Sequence, residues 1–509
     1  MGRDAFSAGD GAREPAGEIA ADGMRRGAGV RLSTLLPRAR FVACDDIVAR
    51  GCHDDPRACR EGDVFVARLD AAADGHDLAA QAIARGVSGI VAERMIPTFG
   101  VPLCLVADSN WARSRIAHAL AGDPARRMRV VAVTGTAGKT TTAWLTASVL
   151  SEGGARVGVL SDLGCLDGDS TDPVAAAWQT PAALAGWLAR LADSGCTHAV
   201  VEVSSTMLAA GMLAGVECDS VVVTNLRRAH LDSHGTVEAY HAIKTRILDA
   251  LGAGGSLVAG VDDPAVGRLA ARHRAGGGST VTVGLRGRVR VGASAVDRSL
   301  GGQTFLLRHA GDSGVVTVGT PVASFVRDGL CAAAVGLREG MTPGLVARGL
   351  EAAGSVPGRM SRICRGQDAH LFVDLPTSGH ALASTLSSLR RLTPGRLLVL
   401  AEETALGGLG GARRFPERAA RWCDDCLVVP AGMLEPGAGS RQLAAYARVD
   451  RLLSGLGRRD CVLVLGRTPA GRPGPGDPGE SQIPLSVVVD AWMEVAHPPV
   501  RIGAPRRAA

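Results

Sequence analysis

The chain has 509 residues, of which 46% are hydrophobic, 21% charged and 3% aromatic, with a formal net charge of +6. This length suggests about three domains at the usual ~100–200 residues each, and the composition excludes a chain that is disordered throughout. No apolar run reaches the ~18 residues of a spanning helix, the acidic N-terminus lacks a secretory pattern, and twelve scattered cysteines read as reduced thiols of a cytoplasmic protein. Mild charge, few aromatics and no basic tract point away from nucleic acid and from membranes.

In chain order, residues 1–28 are rich in Ala, Gly and charge and predict a disordered tail. Strands are expected at Asp63–Ala67 and Gly89–Ala92, with helices at Leu78–Arg85 and Trp111–Leu120, giving a small α/β unit. A linker at Asp123-Pro124 leads to buried strands at Val130–Val133, His198–Val203 and Ser220–Thr224. Strands alternating with helices predict a doubly wound parallel sheet. Residues 285–320 read as an antiparallel appendage and 330–353 as helical. After a hinge at Val356-Pro357-Gly358, strands at Leu371–Asp374, Leu397–Ala401, Leu427–Val429 and Val462–Leu465 predict a Rossmann-like third unit. Arg472–Glu480 is a Pro/Gly-rich loop, and no internal repeat is visible.

Of the 56 basic residues only Lys139 and Lys244 are lysine, the others being arginine. A lysine that survives in such a chain is a candidate for work that a guanidinium cannot do, either as a compact charge among phosphates or as a neutral amine nucleophile. Lys139 lies in AVTGTAGKTTT (132–142), where a buried strand runs through Gly135, Thr136 and Gly138 into a helix beginning Lys139, Thr140, Thr141. Glycines expose backbone N–H groups to phosphates, the helix N-terminus attracts anions, the lysine reaches β/γ-oxygens and a threonine ligates Mg²⁺. Val133 stands where the strict motif has its first glycine, so a coincidental G-K-T-T turn is the competing reading. Glu202 (VEVSS), His230 and Asp232 (TNLRRAHLD) follow strands, at the end where such sheets bind ligands. An acid and a histidine there can complete Mg²⁺ coordination, although each taken singly also fits a cap or a satisfied core residue. Lys244 lies on an amphipathic helix (AYHAIKTR), where a lysine normally faces solvent. Cys423 and Cys426 lack a second pair and read as packing cysteines.

The segments DDPRACREGDVFVA (54–67), DGHDLAAQAIARG (74–86), GDPARRMRVVAVTGTAGKTTT (122–142), VEVSS (201–205), TNLRRAHLDSHGTVEAYHAIK (224–244) and VPGRM (356–360) resemble the Mur ligase family, in particular its UDP-N-acetylmuramoyl-tripeptide synthetase (MurE) type. The resemblance implies an α/β protein with a muramoyl-substrate domain (29–122), a central ATP-binding domain (123–355) and a C-terminal ligase domain (356–509). It implies an ATP-dependent amide ligase of peptidoglycan precursor synthesis. A substrate carboxylate would attack the γ-phosphate, and an amine would then displace phosphate from the acyl phosphate. By position, Lys139 and Thr140 would hold Mg·ATP, Glu202 and His230 would ligate magnesium, Lys244 would carry a carbamate, and Thr180 and Ser204 would touch the muramoyl substrate. The implied partners are small molecules acting on a monomer.

The sequence also departs from the family pattern. Ala137 replaces the loop's asparagine, Ala229 the aspartate before the metal-binding histidine, Thr206 a histidine, Met212 an arginine and Pro56 a serine. Gly260 replaces the asparagine of the segment that meets adenine in the family, and Val326 replaces the asparagine of the family's R-F-N segment. In the third domain the signature that selects the amino acid is missing where VPAGMLEPG (429–437) stands, and three further family signatures are replaced by DLPTSG (374–379), AEETALGGLGGARR (401–414) and GRTPAG (466–471). These losses lead us to expect no efficient addition of diaminopimelate or lysine, since a zwitterion needs a cation for its carboxylate and an acid for its distal amine. The alternative reading is a degenerate relative that binds ATP as a regulatory or scaffold protein.

Overall fold

The computed structural model describes residues 29–69, 74–168, 171–172, 178–228, 235–409, 411–430, 440–466 and 485–496. The expected tail at 1–28 and the loop at 472–480 lie outside the described residues. Two compact units form. One holds the described parts of Met1–Pro124, Ala176–Arg190 and Ala210–Gly215, and the other holds the rest.

The first unit is built on strands β1 (Arg40–Val42), β2 (Cys52–His53), β3 (Val64–Val66), β4 (Gly89–Ala92) and β5 (Leu103–Leu105), in the order β1-β5-β4-β3-β2. All pairs are parallel except β1–β5. Strands β3 and β4 are buried along their length, as continuous apolar runs are when both faces of a parallel sheet are covered. Val64 and Val66 point into one apolar cluster with Ile116, while Phe65 points into the other with Ala79 and Ile90. Helix α1 (Ser109–Leu120) starts two residues earlier than the apolar pattern suggests, because the Asp108 side chain accepts from the Trp111 N–H and caps it. The segment Ala210–Gly215 joins this unit, with Ser114 Oγ donating to the Met212 carbonyl at 2.8 Å.

The second unit carries two sheets. The larger comprises β6 (Arg129–Thr134), β7 (Val157–Ser161), β8 (Gly164–Leu166), β9 (Thr171–Asp172), β10 (His198–Glu202), β11 (Cys218–Val223), β12 (Leu251–Gly260), β13 (Ser279–Gly284), β14 (Val291–Ser299), β15 (Gly302–His309) and β16 (Asp312–Val318). Their order is β9-β8-β7-β10-β6-β11-β12-β13-β14-β15-β16. The middle is parallel. The expected appendage is the antiparallel meander β14-β15-β16, which continues the same sheet. Helix α2 (Lys139–Glu152) covers the sheet, and Leu145 and Val149 share a core with Val131 and Val133 of β6. Later in the chain come α3 (Pro181–Asp193), which belongs to the first unit as far as Arg190, and, in the second unit, α4 (Ser205–Ala209), α5 (Val237–Thr245), α6 (Pro264–Ala275), α7 (Ala323–Arg338) and α8 (Pro343–Ala352). The region expected to be helical at 330–353 is thus α7 and α8, separated at Gly340, whose φ of +85° ends a helix that other residues would continue.

The smaller sheet has β17 (Arg359–Ile363), β18 (His370–Asp374), β19 (Leu397–Glu402), β20 (Asp425–Val429) and β21 (Cys461–Leu465), in the order β17-β18-β21-β19-β20. Only β17 runs antiparallel. Helix α9 (Gly379–Leu392) covers one face, while α10 (Ser440–Ser454) and α11 (Leu485–Ala496) cover the other. Leu300 and Val322 of the larger sheet region share an apolar cluster with Met360 and Phe372 of the smaller one, which joins both into one unit. No described helix is long and apolar enough to cross a membrane.

Phe372 is fully buried in that shared cluster. Phe372→Ala should lower stability by about 3–5 kcal/mol, as deletion of a buried ring leaves a cavity. Denaturant titration of the purified variant checks this.

Candidate active site

The carboxyl ends of β6, β10 and β11 lie side by side, with Val133 paired to Glu202 and Thr134 to Val223. The loop from Gly135 to Gly138 leaves β6 at this point and enters α2. Two of its residues must lack a side chain. A Cβ at Gly135 would collide with the Thr224 hydroxyl, and one at Gly138 would collide with the Asp328 carboxyl. Gly138 also has φ +83° and occupies the N-cap of α2 without a capping side chain, so the first N–H groups of the helix stay available to an anion.

Residues after β11 fix this loop from behind. Ala137 N–H donates to Asn225 Oδ1 at 3.0 Å, while Asn225 Nδ2 and Thr224 Oγ1 donate to the Ala137 carbonyl at 2.8 and 2.7 Å. Thr136 Oγ1 accepts from the Arg227 N–H at 2.9 Å and from the Tyr240 hydroxyl at 3.3 Å. The sequence signal for this clamp is the polar pair Thr224-Asn225 directly after an apolar strand, which motif reasoning on the loop alone passes over.

Lys139 Nζ stands 3.5 Å from Glu202 Oε1. Glu202 is 1% exposed; its Oε2 accepts from the Asp162 N–H at 3.1 Å, and its buried Oε1 has no hydrogen-bond partner. Burial opposes ionisation of Glu202, but the Lys139 ammonium, the Asp162 N–H and the Arg359 guanidinium outweigh it and hold the carboxyl below the usual carboxylate range. Asp162 behaves oppositely. Although part of its side chain reaches solvent, the protein around its carboxyl and then the Glu202 carboxylate push it up to about 6. Thr140 is buried, and its Oγ1 accepts from Arg359 Nη2 at 3.2 Å. Arg359, the arginine of VPGRM, also donates to the Leu375 carbonyl at 3.1 Å.

Lys244 does not face solvent as a helical lysine usually does. It is 2% exposed on α5, its Nζ donates to Thr134 Oγ1 at 3.2 Å and sits 5.2 Å from the Tyr240 ring centre. Burial, followed by repulsion from Lys139, lowers its pKa to about 7. Both lysines of the chain therefore converge on one strand end.

Of these residues Lys139, Thr140 and Arg359 line a cleft of about 370 Å³. It is lined on one side by residues 137–141 and on others by Asp262, Arg327, Asp328, Arg359 and His380. Asp262 accepts from the Leu285 N–H at 3.1 Å and from Arg327 Nε at 2.9 Å.

Other expected site residues fare differently. His230 and Asp232 lie outside the described residues. Thr180 belongs to the first unit, where its Oγ1 accepts from the Ala183 N–H at 3.2 Å at the start of α3. Ser204 Oγ accepts from the Met207 N–H at 3.1 Å at the start of α4 and bonds with Thr206 Oγ1 at 2.7 Å. Cys423 is buried and Cys426 half-buried, all twelve cysteines are free, and no metal-binding group of three occurs among the described residues.

Gly138→Ala should weaken ATP binding about tenfold or more without unfolding the protein, since the new methyl strains the loop and displaces Asp328. Calorimetric titration with ATP, alongside a melting curve, checks both parts.

Residues 133–336 match the family model described as the Mur ligase middle domain. The UDP-N-acetylmuramoyl-L-alanyl-D-glutamate--2,6-diaminopimelate ligase of Geobacillus kaustophilus (strain HTA426) is 32% identical over 374 residues, spanning 72% of this chain and 74% of that protein. A solved structure of a ligase with that name matches with a TM-score of 0.66 at 20% identity, over 92% of this chain and 99% of its own. The MurF ligase of Thermotoga maritima, solved in complex with ADP, matches with a TM-score of 0.52 at 19% identity, over 82% of this chain and 94% of its own. On the identity and coverage of the Geobacillus relative, and with the phosphate loop and its neighbours in place, the chain belongs to the Mur ligase family.

Proposed function

We propose that this protein is an ATP-dependent acid–amino acid ligase that extends a UDP-N-acetylmuramoyl-peptide in peptidoglycan precursor synthesis. The observation that carries the reading is the meeting of both lysines, Glu202 and Thr140 at the phosphate loop. A protein that only bound nucleotide would have no use for a second, buried lysine there, so the arrangement favours catalysis over the scaffold reading.

ATP is the phosphoryl donor in this reading. The N–H groups at the start of α2 cradle its phosphates, and Lys139 supplies a point charge to the β- and γ-oxygens. The substrate carboxylate attacks the γ-phosphorus, the bond to ADP breaks, and an acyl phosphate forms. The incoming amine then attacks the acyl carbon, the carbon–oxygen bond to phosphate breaks, and an amide, phosphate and a proton result. The donor set fits Mg²⁺, because Glu202 Oε1 is a buried carboxylate oxygen with no hydrogen-bond partner, facing the Lys139 ammonium at 3.5 Å, and the Thr140 side chain interacts with the same carboxyl. Thr140 and Glu202, with His230 added by the resemblance, would hold the ion, which neutralises phosphate charge when bound.

Lys244 fits a carbamate. Forming one requires a neutral amine, and burial, with repulsion from Lys139, lowers the pKa to about 7, which makes the neutral amine accessible near neutral pH. Adding CO₂ also replaces the repulsion between two ammonium groups by attraction to Lys139. Residues 29–122, 123–355 and 356–509 then serve muramoyl substrate, ATP and acceptor amine, with Thr180 and Ser204 contacting the muramoyl portion and the protein acting as a monomer on small molecules. Given the altered third-domain segments, the acceptor is proposed to differ from diaminopimelate and lysine.

Incubation with ATP, Mg²⁺, bicarbonate, UDP-muramoyl-alanyl-glutamate and a panel of amino acids, followed by mass spectrometry, tests the reading. The expected outcome is equimolar ADP, phosphate and amide with at least one acceptor. ATP turnover without amide across the whole panel contradicts it. Lys244→Arg keeps a cation but cannot carry CO₂, so turnover should fall about a hundredfold. Wild-type turnover should also decline as pH drops below about 7, because the protonated amine does not take up CO₂; a steady-state pH profile in bicarbonate buffer measures this.

A further inference from the structure

Asp328 has no part in the scheme above, yet it lines the nucleotide cleft at the phosphate loop. It lies on α7, is 7% exposed, and stands so close to Gly138 that a Cβ there would collide with its Oδ1. Its carboxyl is therefore set against the N-cap of α2, the point toward which a bound polyanion is drawn.

We propose that Asp328, buried in the cleft wall against Gly138, is a nucleotide-binding residue whose carboxyl donates a hydrogen bond to a phosphoryl oxygen of the nucleotide lying over the 135–141 loop. This rests on reading the cleft as a nucleotide site. An ionised carboxylate at this place would be a resident anion competing with triphosphate. The fold removes that conflict by burial, which pushes Asp328 up to about 8, and Arg327 opposes this only in part. Arg327 is already engaged, donating from Nε to Asp262 at 2.9 Å. The other ionisable groups lining the cleft are Lys139 on α2, Arg227 after β11, Asp262 after β12, Cys331 on α7, Arg359 on β17, Asp374 on β18 and His380 on α9. Burial, opposed in part by Arg359, raises the Asp374 carboxyl, a shift that wild type and Asp328→Asn share. Burial and the neighbouring carboxyls push the Cys331 thiol far up, so it stays neutral. Burial and nearby arginines lower His380, so it does not titrate where Asp328 does. At neutral pH the cleft thus presents an acid proton beside the loop, and it loses that proton as pH rises through about 8. An acid kept neutral so that it can donate is an established way to place a hydrogen bond where charge would repel.

The test is calorimetric binding of adenylyl-imidodiphosphate with Mg²⁺ between pH 6.5 and 9.5, for the whole protein and for Asp328→Asn and Asp328→Ala, with circular dichroism recorded on each. The amide of Asp328→Asn is a donor that cannot ionise. Wild-type affinity should fall by about ten- to thirtyfold from pH 7 to pH 9.5 relative to Asp328→Asn, and Asp328→Ala should bind about tenfold more weakly than wild type at pH 7. Titration of the ligand and of Lys244 is common to wild type and Asp328→Asn and cancels in their ratio. Parallel pH profiles for those two proteins, or wild-type affinity in Asp328→Ala at pH 7, overturn the assignment of Asp328 while leaving the nucleotide site standing. No binding by wild type at any pH overturns both.

Discussion

A triphosphate can only be held by backbone N–H groups that nothing else has claimed, and most of this site follows from keeping them free. Gly138 and the first turn of α2 present such groups, because Gly138 has no side chain and the N-cap supplies none, whereas the N–H groups of Thr136 and Ala137 are taken by Asn225. A loop without side chains has little to fix its own shape. Its rigidity is borrowed from Thr224, Asn225, Arg227 and Tyr240, which hold the far side of Thr136 and Ala137. Ala137 makes no side-chain hydrogen bond of its own, and both of its backbone polar groups are satisfied by Asn225.

The charges behind the loop carry a tension that apolar packing would avoid. Glu202 and Lys244 are almost wholly buried, and one oxygen of Glu202 has no hydrogen-bond partner. A buried ion pair is weak evidence for stability, because desolvation offsets its attraction. A second ammonium group near the same carboxylate adds to this, and the pKa of Lys244 is lowered first by its burial and then by repulsion from Lys139. Such groups persist in a fold where a ligand or a modification relieves them, and a magnesium ion on Glu202 with a carbamate on Lys244 would do so together.

Much of the architecture was legible in the sequence because its parallel strands are short apolar runs buried on both faces. DVFVA, GIVA, HAVVE and SVVV all appear as strands close to the expected positions. The phosphate loop and the scarcity of lysine likewise pointed to one place. What the sequence hid are contacts between residues far apart in the chain. Arg359 reaches Thr140 and Tyr240 reaches Thr136, but no local spacing announces either. Lys244 illustrates the limit best. An amphipathic helix at 237–245 predicts a solvated lysine, whereas the packed helix buries it under Thr134. Asp328 escaped notice for a related reason, since an acid near the start of a helix is usually exposed and favourable with the dipole. The cap geometry of Thr180 and Ser204 shows the converse, local roles that their sequence context allowed beside the one expected from the resemblance.

The central claim is that the γ-phosphoryl group passes to a carboxylate before the amide forms. Labelling the acceptor carboxylate of the UDP-muramoyl-peptide with ¹⁸O and analysing the phosphate released during turnover tests it most directly. Transfer through an acyl phosphate places one labelled oxygen in each phosphate, because the second step breaks the carbon–oxygen bond. Phosphate free of label, formed at the same rate, would mean that water attacks ATP at this site and that the ligase account is wrong.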